Sequence, residues 1–148
     1  YQVEKPPYIV PVLRTGLSMQ EAMWELLPEM PSYDIGLRRK EDGKPTVTIE
    51  EYLNKLPAHI SAGRMVIILD PMIASGESAC HAISMVKKTG AKNIVFMGIV
   101  CCDVGLNRIR QAHPDVQIYC AAKDPKLGKD NFIYPGLGDA GDRYKNTL

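Results

Sequence analysis

Four apolar residues that run straight into an acid constrain this chain more than anything else in it: Val66-Ile67-Ile68-Leu69, then Asp70. A short run that is apolar on both faces fits a strand buried between two helical layers. The turn after it, Pro71-Met72-Ile73-Ala74-Ser75-Gly76-Glu77-Ser78, carries hydroxyls and a glycine. A stripe of Ala79, Ala82, Ile83 and Val86 then opens an amphipathic helix. Ser75 or Ser78 is expected to cap that helix, and Gly90 to end it just after Lys87 and Lys88. A carboxylate thus stands at the end of a central strand, beside free helix N–H groups. The pair suits a sugar phosphate, with the acid for ribose hydroxyls and the N–H groups for phosphate oxygens. An ordinary strand–loop–helix connection is the plain alternative. The segment is not a Walker loop, because no G-x-x-x-x-G-K-[ST] occurs in the chain.

Further strands and helices alternate around this segment. Tyr8 to Leu13 reads as a strand in which Pro11 suggests an irregularity. A helix follows from about Leu17 to Leu27, stopped by Pro28. Tyr33 to Leu37 is a short strand and Arg38 to Lys44 a charged turn. Thr46 to Leu56 is a second hairpin arm, although Glu50 to Leu56 suits a helix equally. Asn93 to Cys102 and Val116 to Ala122 are strands that flank a short helix marked by Val104, Leu106, Ile109 and Ala112. The tail from Gly128 onward shows no strong period. Alternation of this kind predicts an α/β fold with a mainly parallel sheet and right-handed crossovers. Arg14, Asp70 and Asp103 each follow an apolar strand, so all three should emerge at the carboxyl edge, where open sheets bind ligands. Arg14 there can grip phosphate oxygens in a bidentate fork, whereas Asp103 reads as a helix cap.

Composition excludes several classes. At 148 residues, 45% hydrophobic and 24% charged, the chain can bury one sizeable core, and it reads as a single domain spanning 1–148. A net charge of +1 gives no field that would attract nucleic acid or an anionic membrane. No apolar run is long enough to span a bilayer and no signal peptide is visible. Cys80, Cys101, Cys102 and Cys120 lack C-x-x-C spacing and read as reduced, buried thiols, which suits a cytoplasmic protein. His59, His81 and His113 follow no ligand spacing, so no protein-held metal site is expected.

Gly136-Leu137-Gly138-Asp139-Ala140-Gly141 matches G-x-G-x-x-G, but too little chain follows it for a dinucleotide-binding unit. The glycines suggest instead a tight loop whose backbone approaches something small or flat. Main-chain N–H and C=O groups in such a loop can pair with a pyrimidine edge. A glycine-rich terminus without function is the alternative.

Several motifs together carry a resemblance. Asp70 to Ser78 resembles D-P-M-L-A-T-G-G-S, Val10 to Gly16 resembles V-P-[IV]-L-R-A-G, and Ile35 to Arg39 resembles I-G-L-Y-R. Pro135 to Arg143 matches P-G-L-G-D-A-G-D-R without change, and Leu56-Pro57 and Ala112 to Val116 also match in place. These are motifs of uracil phosphoribosyltransferase, and the resemblance covers nearly the whole chain in order. It implies a type I phosphoribosyltransferase fold, a twisted sheet flanked by helices with a small hood or β-arm and a C-terminal loop. It also implies transfer of ribose 5-phosphate from phosphoribosyl diphosphate to N1 of uracil, giving UMP and diphosphate. By matching position, Arg14 and Arg39 would contact donor phosphates and Asp70 the ribose hydroxyls, with Asp70 and Arg14 the catalytic pair. Pro71, Met72, Ile73, Ala74, Ser75, Gly76, Glu77 and Ser78 would cradle the donor. Ile133, Gly138 and Ala140 would bind uracil, with Asp139 between base and donor. The resemblance further implies Mg²⁺ held mainly through diphosphate and water, and a homodimer or larger homo-oligomer.

The departures are specific. Ser75 stands for the usual threonine and keeps the hydroxyl, whereas Glu77 stands for a glycine and brings a carboxylate close to the expected phosphate. Arg38 replaces a tyrosine, and Asn131-Phe132 replaces Gly-Tyr at the pocket edge. The helical segment that precedes the first strand in the family has no counterpart here, so a fragment or a reduced form is expected. Glu77 and that missing segment favour a second reading, a non-catalytic nucleotide-binding domain like the transferase-like half of some uridine kinases. Asp70 and the intact glycine loop favour the enzyme.

Overall fold

The computed structural model describes residues 3–40 and 48–147. Its elements in chain order are β1 (Tyr8–Leu13), α1 (Gly16–Leu26), β2 (Ile35–Lys40), β3 (Thr48–Asn54), β4 (Met65–Leu69), β5 (Met72–Ile73) and α2 (Glu77–Lys88). They continue with β6 (Asn93–Cys101), α3 (Asp103–Ala112), β7 (Gln117–Lys123), β8 (Lys126–Leu127), β9 (Ile133–Tyr134) and α4 (Ala140–Lys145). β1 lies between β2 and β4, and β6 between β4 and β7, all in parallel pairs. β5 pairs with β6 in the register that continues β4: Leu69 lies opposite Met97, and Met72 opposite Val100. Only β3 runs antiparallel within this sheet, as an arm on β2.

Alternating side chains of the parallel strands serve two cores. Val10, Val66, Ile68 and Phe96 face α2 and α3, where they meet Ala82, Ile83, Val86 and Ile109. Ile9, Ile67, Leu69 and Val95 face the opposite way, toward Met19 and Met23 of α1 and Leu27 just after it. Burying both faces explains the unbroken apolar runs of β4 and β6. The chain places β2 on one side of β1 and β4 on the other, so its direction of winding reverses at β1. The carboxyl ends of β1 and β4 therefore flank the crevice where such sheets take ligands.

Several local expectations need correction. Pro11 causes no irregularity in β1, because it keeps its place opposite Leu69 without a shift in register. The shift falls in the hairpin instead, between Gly36 and Leu37. β2 runs through Arg38 and Arg39 to Lys40, so the charged stretch is partly strand, and the tip at 41–47 lies outside the described residues. The segment that suited either hairpin or helix is strand, since Glu50 and Glu51 lie opposite Arg38 and Leu37. Neither Ser75 nor Ser78 caps α2; the N-cap is Gly76, in the left-handed region at φ 81°. Asp103 does not cap α3 either. Cys102 takes that place, and Asp103 sits in the first turn and pairs with Lys123 at 3.1 Å. The tail that showed no period holds β9, which pairs antiparallel with β8 just before it, and the six-residue α4.

Candidate active site

A cavity of about 300 Å³ opens at the carboxyl edge of the sheet. Its floor comes from the segments that follow β1 and β4: Thr15, Met72 of β5, Ala74 and Ser78 of α2, with Arg39 reaching in from β2. Its roof comes from the tail: Ile133, Gly138, Asp139, Ala140 and Gly141, with Asn131 and Phe132 at the edge. The two segments singled out on chemical grounds thus face one another across a single space.

Close packing of backbones shapes the floor. A Cβ on Gly16 would lie 2.5 Å from the Leu69 carbonyl oxygen, so α1 starts hard against the end of β4. A Cβ on Gly76 would lie 2.7 Å from the Gly105 carbonyl oxygen, and the left-handed φ adds a second reason for glycine there. The Cys80 N–H donates to the Gly76 carbonyl as the first helical bond. The N–H groups of Glu77, Ser78 and Ala79 stand before that ladder, at the positive end of α2.

Asp70 sits half-buried under this floor. Desolvation pushes its pKa up to about 7 from an ordinary 3.8, against the opposing pull of the Met72 N–H, the Thr15 hydroxyl and the Arg39 charge. Thr15 Oγ1 donates to Asp70 Oδ1 at 3.4 Å. Arg39 Nη2 donates to Ser75 Oγ at 2.9 Å. Ser75 is 6% exposed, and Ile73 and Pro71 are buried behind it. Glu77 turns away from the cavity: its Oε1 meets Arg108 Nη1 at 3.3 Å, and Ser75 Oγ donates to its Oε2 at 3.3 Å. It lines a separate groove with Cys80, His81 and His113 between α2 and α3.

The roof is anchored at one apolar point, Ile133, buried against Val100 and Cys102, and is otherwise held by polar contacts. Gly136 N–H donates to Asp124 Oδ2 at 2.8 Å, and a Cβ on Gly136 would collide with the Ile133 carbonyl. Gly136 and Gly138 both take positive φ, 55° and 73°. Asp139 caps α4 by accepting the Asp142 N–H at 3.0 Å. Tyr144 Oη donates to Glu21 Oε1 at 2.8 Å and ties α4 to α1. Arg14 is exposed at the rim and reaches Asp142 Oδ1 at 3.4 Å, which links the end of β1 to the roof.

Of the sequence-predicted residues, Arg39, Met72, Ala74, Ser78, Ile133, Gly138, Asp139 and Ala140 face the cavity. Asp70, Ser75 and Gly76 do not line it, but Asp70 and Ser75 bond to the lining residues Thr15 and Arg39; Arg14 stands beside it, and Glu77 points elsewhere. Thr15 and Gly141 face the cavity although sequence reasoning did not single them out. Thr15 had a signal: a hydroxyl directly after Arg14, on the same sheet edge as Asp70.

The uracil phosphoribosyltransferase family model matches residues 1–147. The chain belongs to that family. It is 43% identical over 147 residues to the uracil phosphoribosyltransferase of Mycoplasma capricolum, covering 99% of this chain and 69% of the relative. Among solved structures, the AQ2163 protein from Aquifex aeolicus superposes with a TM-score of 0.89 at 31% identity, covering 99% of this chain and 68% of that one. The chain thus spans about two thirds of the length of both. A purine phosphoribosyltransferase from Pyrococcus horikoshii superposes with a TM-score of 0.62 at 20% identity over 78% of this chain and 72% of that one, a likeness of fold alone. The type I phosphoribosyltransferase fold expected from the motifs is therefore the fold of this family member. No helix among the described residues is long and apolar enough to cross a membrane.

Proposed function

We propose that the chain transfers ribose 5-phosphate from phosphoribosyl diphosphate to N1 of uracil, releasing diphosphate and UMP. The observation that carries this reading is the single cavity with the Asp70–Ser78 segment on one side and the Gly138–Ala140 loop on the other. The N–H groups at the start of α2 and the Ser78 hydroxyl suit the 5-phosphate. Asp70, at the end of β4, suits the ribose hydroxyls. Gly138 and Ala140 offer main-chain donors and acceptors to the edge of uracil, and Ile133 offers an apolar face. Arg39 and Arg14 suit the diphosphate.

In the transfer, the C1′–O bond to diphosphate breaks and its electron pair leaves with the diphosphate. N1 of uracil bonds to C1′ and gives up its proton. Positive charge grows on the ribose ring as the bond stretches, and an ionised Asp70 stabilises it through the hydroxyls. Arg39 and Arg14 offset the charge on the leaving group. The roof limits access of water to the donor. Holding both reactants in line supplies much of the acceleration.

Mg²⁺ fits this donor set only as a substrate-bound ion. No group of three His, Cys, Asp or Glu side chains that could hold a metal exists among the described residues. Asp139 faces the cavity and can accept from a metal-bound water, while diphosphate oxygens carry the ion. Bound there, it would neutralise diphosphate charge. A homodimer or larger homo-oligomer belongs to the same reading, and Trp24, Leu26, Ile99 and Tyr119 are exposed apolar side chains that a partner copy could cover. Four free cysteines support a reducing, cytoplasmic setting.

Incubation with labelled uracil, phosphoribosyl diphosphate and Mg²⁺ tests the reading. Labelled UMP is expected; binding of UMP without turnover would replace the transferase reading by the nucleotide-binding alternative, and the absence of both turnover and binding would contradict either.

A further inference from the structure

Glu77 stands where the family motif has glycine, and its carboxylate is fully engaged away from the cavity. One oxygen meets Arg108 at 3.3 Å and the other accepts the Ser75 hydroxyl at 3.3 Å. Ser75 has a single hydroxyl proton, so donation to Glu77 leaves its lone pairs for a donor on the other side. That donor is Arg39, at 2.9 Å. The three side chains form a line from the α2–α3 groove to the cavity: carboxylate, hydroxyl, guanidinium. A hydroxyl that donates to a carboxylate is a stronger acceptor for an arginine, because bonds in a chain polarise one another. Arg108 keeps the carboxylate on its own side of α2, where its charge does not oppose a phosphate. The Glu77 side chain is only 21% exposed, so little water competes for it.

We propose that Glu77 is a positioning residue that holds Arg39, through Ser75, in the orientation that receives the donor's phosphates. A long, exposed arginine on the β2 arm otherwise loses rotamer freedom each time the donor binds. The carboxylate replaces the freedom of a glycine at this position with a fixed hydrogen-bond acceptor behind Ser75. The inference rests on the transferase reading, since it assigns Arg39 to the donor.

Steady-state kinetics of the full chain test it, with phosphoribosyl diphosphate as the varied substrate. Glu77→Ala should raise the donor KM about fivefold, with kcat and uracil KM within about twofold. Glu77→Gln keeps an acceptor oxygen for Ser75 and should recover most of that loss. In a Ser75→Ala background, Glu77→Ala should have no further effect, because the line is already cut. Melting temperatures of each variant separate positioning from folding. A Glu77→Ala chain with unchanged donor KM would overturn the inference while leaving the transferase reading intact. So would a Glu77→Gln chain as impaired as the alanine variant, or full additivity with Ser75→Ala. An unsubstituted chain that neither binds nor consumes the donor would overturn the reading and the inference together.

Discussion

The floor and the roof of the cavity are built in opposite ways. The floor is made of strand ends and a helix start packed backbone to backbone, with Ser75, Ile73 and Gly76 buried. The roof consists of two-residue strands, turns of positive φ and a six-residue helix, pinned by the buried Ile133 and by single hydrogen bonds. The floor can shift the pKa of an acid because it excludes water and does not yield. The roof has one apolar anchor, Ile133 against Val100 and Cys102, so less buried area resists its local opening. A donor that must be kept from water needs both: a rigid seat for the charged part and a cover that admits the base.

The contrast breaks most sharply at Asp70. Replacing it by asparagine keeps the shape but removes the negative charge, and turnover should fall by about two to three orders of magnitude with donor KM changed less. The same variant sharpens the pH argument. Folded Asp70 holds its proton up to about pH 7, while the unfolded chain releases it near the ordinary 3.8. Between those values the folded state binds more protons, so stability declines as pH rises from about 4 to 7. Urea unfolding across that range should show the decline, and Asp70→Asn should flatten it. On the proposed mechanism activity needs the ionised acid and should rise through the same pH of about 7.

Glycine substitutions come next and separate the two regions. Gly76→Ala meets the Gly105 backbone and a left-handed φ at once, so stability should drop by about 3 kcal/mol, read by denaturant unfolding. Gly138→Ala meets nothing within 4 Å and carries only the cost of its φ of 73°. It should lower stability by about 1 kcal/mol or less and act mainly on uracil KM. The smallest effect belongs to Asp142→Asn, which removes an ion pair whose Arg14 and Asp142 side chains are 56% and 37% exposed. Donor KM should change less than about threefold, and less still at high salt.

What the sequence discloses follows the same division. The buried strands β4 and β6 are legible as apolar runs, and α2 as a stripe of period 3.6, because burial on both faces leaves a pattern that no loop imitates. The acid at the end of β4 is legible for the same reason. Hydroxyls are the usual caps, so the sequence points to a serine at the start of α2, whereas a left-handed glycine makes the turn. β8, β9 and α4 left no trace, being too short to show a period. Their positions depend on distant partners, Asp124 for Gly136 and Glu21 for Tyr144. The direction of Glu77 was equally hidden, since Arg108 on α3 decides it. The motif order is informative where composition is not: it marks the glycine loop and the segment after β4 as neighbours, and both border one cavity.

The central claim is that the floor and the roof hold one ligand between them. Backbone amide NMR during titration with UMP tests it most directly. The signals of Ala74 to Ser78 and of Gly138 to Ala140 should shift together, along one binding curve with a single dissociation constant. Movement of only one set, or of both with different midpoints, would contradict it.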